Sequence, residues 1–121
     1  MTDNLSDAEL CALVEQHVFG YKGELHQYMP ASLPVLMDED GSAVAVRDFL
    51  TDDAAAISIC KRMLELGWRC TLTLGTIGWC VTFLRPMSSP SFGLESNGEA
   101  AEDNLGRTVS IAALRALGVE V

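Results

Sequence analysis

Arg69-Cys70-Thr71-Leu72-Thr73-Leu74-Gly75-Thr76-Ile77-Gly78-Trp79-Cys80-Val81-Thr82-Phe83-Leu84 is the stretch whose reading decides the fold. Apolar residues alternate with threonines on both sides of a glycine-bounded turn, the pattern of a β-hairpin. Setting Leu74 opposite Trp79 places Leu72 against Val81 and Cys70 against Phe83. One face then carries Cys70, Leu72, Leu74, Trp79, Val81 and Phe83. The other carries Arg69, Thr71, Thr73, Cys80, Thr82 and Leu84. Successive strand residues point to opposite faces, so a slip of one residue would mix the two sets, and the register is well specified. The apolar face must pack on helices, while the threonine-rich face can be wet or lightly covered.

Working outward, Thr51-Asp52-Asp53 opens a helix: a short polar side chain caps it and carboxylates face the positive end of its dipole. Ala56, Ile59, Cys60, Met63 and Leu64 form its apolar stripe, and Gly67 ends it before Trp68, which is expected in the core. Further upstream, Ser6-Asp7-Ala8-Glu9 has the form of a capping box. It predicts a helix over residues 6–19 with Leu10, Leu13, Val14, His17 and Val18 on its apolar side. Between these helices, Pro34-Val35-Leu36-Met37 and Ala43-Val44-Ala45-Val46 read as a small hairpin around the polar turn Asp38-Glu39-Asp40-Gly41-Ser42. Beyond the central hairpin, residues 86–98 are loop by composition. A closing helix is expected over residues 99–117, with Ala101, Leu105, Val109, Ala112, Ala113 and Leu117 towards the core. Gly106 inside it costs about 1 kcal/mol against alanine and so signals close packing.

These elements define one α+β domain over residues 1–121, with a small antiparallel sheet packed by three helices. The chain is 49% hydrophobic and 21% charged, enough to build a core without metals or disulfides. Its net charge of −9 and lack of a cationic cluster argue against direct nucleic-acid binding and against adsorption to an anionic membrane. Apolar runs are all shorter than a bilayer requires, and the first residues lack the basic and apolar regions of a signal peptide, so a cytoplasmic location is expected. Cys11, Cys60, Cys70 and Cys80 form no CxxC pair and read as buried thiols.

Motifs for catalysis are weak. His17 and His26 lack a metal-site partner at helical spacing, and no nucleophile elbow, dinucleotide fingerprint or Walker loop is present. No cofactor and no metal are expected. The clearest pattern is charge: acids gather at Asp38-Glu39-Asp40, at Asp48 with Asp52-Asp53, and at Glu95-Glu99-Glu102-Asp103, whereas residues 67–93 hold none. Helix-end stabilisation and solubility account for much of this. The functional reading is an acidic surface matched to a basic groove on a partner, with Asp38, Glu39, Asp40, Asp52 and Asp53 as its charges and Phe92 as an aromatic anchor. The other reading is a small-molecule binder that sequesters a nucleotide signal through Arg69, Thr71, Thr73 and Arg85. Sheet edges and the apolar Val119-Glu120-Val121 end allow a homodimer.

The order of segments resembles the phage ABA sandwich domain family. The likeness rests on Phe49-Leu50-Thr51-Asp52-Asp53-Ala54-Ala55-Ala56, its helix and Gly67-Trp68, on Gly78-Trp79-Cys80-Val81, and on the closing Arg107-Thr108-Val109-Ser110-Ile111-Ala112-Ala113-Leu114-Arg115-Ala116-Leu117. It implies a helix–sheet–helix (α/β/α) sandwich and transfers no catalytic residue. It also implies a phage-encoded protein in the bacterial host cytoplasm that binds a host protein, in an anti-CRISPR-like role as one version. Such a sandwich needs a helix on the threonine face, where Ala112 and Ala116 could pack. The alternative is that all helices share the apolar face.

Overall fold

A computed structural model describes residues 6–26, 34–76, 78–86 and 94–121. In chain order they form α1 (Asp7–His17), β1 (Glu24–His26), β2 (Val35–Met37), β3 (Ala43–Ala45), α2 (Asp53–Glu65), β4 (Arg69–Gly75), β5 (Gly78–Pro86), β6 (Leu94–Glu102) and α3 (Leu105–Ala116). The strands make two antiparallel sheets, ordered β1-β2-β3 and β4-β5-β6. No helix among the described residues is long and apolar enough to cross a membrane.

The central hairpin pairs in the expected register: Leu74 faces Trp79, Leu72 faces Val81 and Cys70 faces Phe83. The expected loop and helix start at residues 94–102 are instead β6, which pairs along β5 with Gly98 opposite Phe83 and Ala100 opposite Val81. Alanine and glutamate favour helix in isolation, but tertiary pairing overrides so weak a preference. Residues 87–93 of that expected loop lie outside the described residues.

Both caps form as expected. Ser6 accepts from the Glu9 N–H while Glu9 reaches back to the Ser6 N–H, and Asp52 accepts from Ala54 and Ala55. Each such cap contributes about 1 kcal/mol. The first helix is rotated from its expected stripe, however: His17 is exposed, and Cys11 and Glu15 are buried.

Helix α3 is the hub. Thr108 to Leu114 is buried without a break, because α3 packs on β5 and β6 and also touches α1 and α2. A helix stretch enclosed in this way must carry small or apolar residues, as Thr108 to Leu114 does, while Arg107 and the exposed Arg115 flank it. Its approach to β6 is so close that a Cβ on Gly98 would lie 2.1 Å from the Ala112 carbonyl oxygen and 2.6 Å from the Ala116 Cβ. Gly106 packs as its sequence context predicts, since a Cβ there would lie 1.9 Å from the Phe49 carbonyl oxygen.

Gly98 lies opposite Phe83 and Cys70 lies on the other side of the same row. Ala112 and Ala116 therefore reach the apolar face, and so does α2, through contact of Cys60 with Cys70. Helices α2 and α3 share one face, which corrects the placement of Ala112 and Ala116 on the threonine side. Among the described residues no helix covers that side, where Thr71, Thr73, Glu99 and Ala101 are exposed. Even the apolar face is covered only in part: Val81 and Phe83 are fully buried, Trp79 is half-buried, and Leu72 and Leu74 are exposed.

Candidate functional site

The small sheet presents the acidic turn. Asp38 follows β2, and its carboxylate accepts the backbone N–H groups of Asp40 at 3.0 Å and Ser42 at 2.9 Å. One carboxylate thereby closes the turn and leaves Glu39 and Asp40 exposed at its tip. Glu24 faces Met37 in the β1–β2 ladder, which brings a fourth carboxylate beside the turn. Gly23 lets the two strands approach: at φ +125°, a Cβ there would lie 2.6 Å from the Met37 carbonyl oxygen.

These residues line an open cleft of about 710 Å³, with Lys22 and His26 as its basic groups. The sequence singled out the turn but missed β1, so Glu24, Lys22 and His26 enter only through strand pairing. Three-residue strands carry too little alternation to be seen. No group of three or more His, Cys, Asp or Glu residues suited to a metal is found among the described residues.

Asp52 and Asp53 sit elsewhere, at the start of α2. Asp52 spends its carboxylate on the helix cap, and Asp53 is exposed in the first turn. Asp48 is likewise committed: it accepts from the Thr51 hydroxyl and from the N–H groups of Leu50 and Thr51, both at 3.1 Å. The Thr51 hydroxyl first, then these N–H groups, hold the Asp48 carboxyl below the usual carboxylate range. Of the five acids expected at a partner surface, Glu39, Asp40 and Asp53 retain carboxylates that no other described residue engages. Phe92 lies outside the described residues.

The set Arg69, Thr71, Thr73 and Arg85 does not converge. Arg69, Thr71 and Thr73 line the open face of β4. Arg85 follows Leu84, so it points to the opposite face, where its guanidinium lies 4.7 Å from the centre of the buried Trp68 ring.

The thiols divide by burial. Cys11 and Cys60 are buried, and Cys70 and Cys80 are partly so. The Cys60 and Cys70 sulfurs lie 3.7 Å apart. Cys70, the less buried of the two, ionises first, with the Cys60 S–H donating to it. This contact lowers the Cys70 thiol below its ordinary range and, with burial, pushes Cys60 up.

Comparison with models of known families, with curated proteins and with solved structures gives no match for this chain.

Proposed function

We propose that the protein acts by binding another protein, with the acidic β2–β3 turn and its cleft receiving basic groups of the partner. The observation that carries this reading is the gathering of Glu24, Asp38, Glu39 and Asp40 around one opening. Clustered carboxylates create a field that steers a basic partner and sets its orientation. Asp53 extends the charge along a second exposed site. Occupation of a basic, nucleic-acid-binding groove on a bacterial host protein is the form this takes, and inhibition of a defence protein is its strongest version. Support for a phage origin is the family resemblance alone.

Binding of a nucleotide signal has less support, since Arg85 is turned away from Arg69, Thr71 and Thr73.

Capture from bacterial lysate with the wild type and with a Glu39→Lys, Asp40→Lys double variant tests the proposal. One stoichiometric protein should be retained, released by salt, and bound at least about tenfold more weakly by the variant, roughly 1.4 kcal/mol. Equal retention by both proteins, or retention insensitive to salt, would overturn it.

A further inference from the structure

Among the described residues, every large apolar side chain left exposed, Tyr21 aside, belongs to one continuous piece of the chain. Ile57 and Leu64 lie on α2, Leu66 at its end, and Leu72 and Leu74 on β4. Leu64 is 56% and Leu74 64% exposed, and α2 packs on β4, so these exposed apolar residues belong to two adjoining elements.

Strand β4 is also an open edge. Among the described residues it pairs with β5 on one side only, which leaves a row of N–H and C=O groups on the other. Natural edges are usually protected by proline, by bulges or by charge. The register from Arg69 to Gly75 is unbroken, and Arg69 at its start is its one charged residue. The charge around it departs from the rest of the chain: residues 54–86 hold Lys61, Arg62, Arg69 and Arg85 against Glu65, in a chain of net charge −9.

We propose that β4 is a homodimer interface, joining two copies antiparallel across a two-fold axis at Leu72 into one six-stranded sheet. What points to a second copy is that the strand is complementary to itself. Centred on Leu72, all residues from Arg69 to Gly75 find a partner. Leu72 meets the partner's Leu72, Cys70 meets the partner's Leu74, and Thr71 meets the partner's Thr73. Apolar residues thus stay on one face and threonines on the other, as a closed isologous interface requires. Arg69 falls opposite the partner's Gly75, and the two arginines lie at opposite ends of the ladder, roughly 20 Å apart at strand rise. The acid-free edge is also where two copies of so acidic a chain repel least. The β4 edge shares no residue with the acidic cleft.

Sedimentation equilibrium across a dilution series, on the full chain, tests it. The wild type should reach twice the 13.1 kDa chain mass, more readily as salt screens the net charge. A Leu72→Lys, Leu74→Lys variant should stay monomeric with an unchanged circular dichroism spectrum, since both side chains are exposed. In a second arm, Leu72→Cys should form an intermolecular disulfide in air, while Ala43→Cys, on the edge of the other sheet, should not. A monomeric wild type at all concentrations would overturn the proposal. So would a dimer that survives the double lysine variant, one that dissociates on adding salt, or cross-linking through Ala43→Cys in place of Leu72→Cys.

Discussion

Arg47 closes on the buried carboxylate of Glu15 at two points, Nη2 to Oε1 at 2.8 Å and Nε to Oε2 at 3.2 Å, and its backbone N–H adds a third contact at 3.1 Å. The same guanidinium lies 4.1 Å from the Phe19 ring centre, and Phe19 stacks on Phe49. These contacts tie the chain leaving β3 to α1 and so hold the hairpin that carries the acidic turn against the body of the domain. Glu15 is 1% exposed and Arg47 41% exposed, so the two ends of the pair are not equivalent.

From that asymmetry, Arg47→Ala should cost more than Glu15→Gln. Removing Arg47 strands a buried carboxylate, at about 3–5 kcal/mol. Removing the Glu15 charge leaves a guanidinium that water can reach, at about 1–2 kcal/mol. Urea unfolding of both variants checks the order, and equal losses would show that the carboxylate is hydrated.

Gly98→Ala should be among the most damaging single-methyl changes in the protein. Its Cβ would meet the backbone of α3, which cannot move aside as a flexible side chain can. The expected loss is about 3 kcal/mol, read from thermal or urea unfolding. Ala101→Gly on the exposed face of the same strand serves as the control and should cost no more than about 1 kcal/mol.

Asp48 sets a pH dependence whose sign follows from its lowered carboxyl. Its contribution is complete above the ordinary aspartate value of about 3.9 and is lost as pH falls through the lower folded value. The stability advantage of the wild type over Asp48→Ala should therefore be constant above about pH 5 and shrink progressively as pH falls from about 4 through the lowered folded value. An advantage that persists unchanged into acid would contradict the assigned hydrogen bonds.

Cys70 should alkylate ahead of Cys60 on dilute protein, with a pH profile displaced below that of an ordinary thiol. Cys60→Ala removes the S–H that donates to it and should move the profile back up. An unchanged profile in Cys60→Ala would show that the two sulfurs do not share a hydrogen bond.

Much of this architecture is legible in the residues. The hairpin register follows from alternation that tolerates no slip, and both helix starts follow from capping side chains within three residues of the chain they cap. Strand β6 was hidden because Glu99, Ala100, Ala101 and Glu102 favour helix locally. The alternation of buried Gly98 and Ala100 with exposed Glu99 and Ala101 is its only local sign. Glu15 was hidden for a related reason: a carboxylate on a helix reads as solvated until the partner Arg47, far along the chain, is placed beside it. At the candidate site, the acidic turn is plain in Asp38-Glu39-Asp40. The commitment of Asp38 and Asp52 to backbone groups and the arrival of Glu24 depend on turn and strand geometry. Arg85 was separable from Arg69 by parity, because it follows Leu84, the residue opposite Arg69.

The most direct test of the acidic cleft is a titration of isotope-labelled protein with a short lysine- and arginine-rich peptide, followed through backbone amide resonances. The account predicts salt-sensitive shifts concentrated at residues 22–26 and 37–41 and absent from the Glu39→Lys, Asp40→Lys variant. Shifts that fall instead along the β4–β5 hairpin or α2, or that persist in that variant, would contradict it.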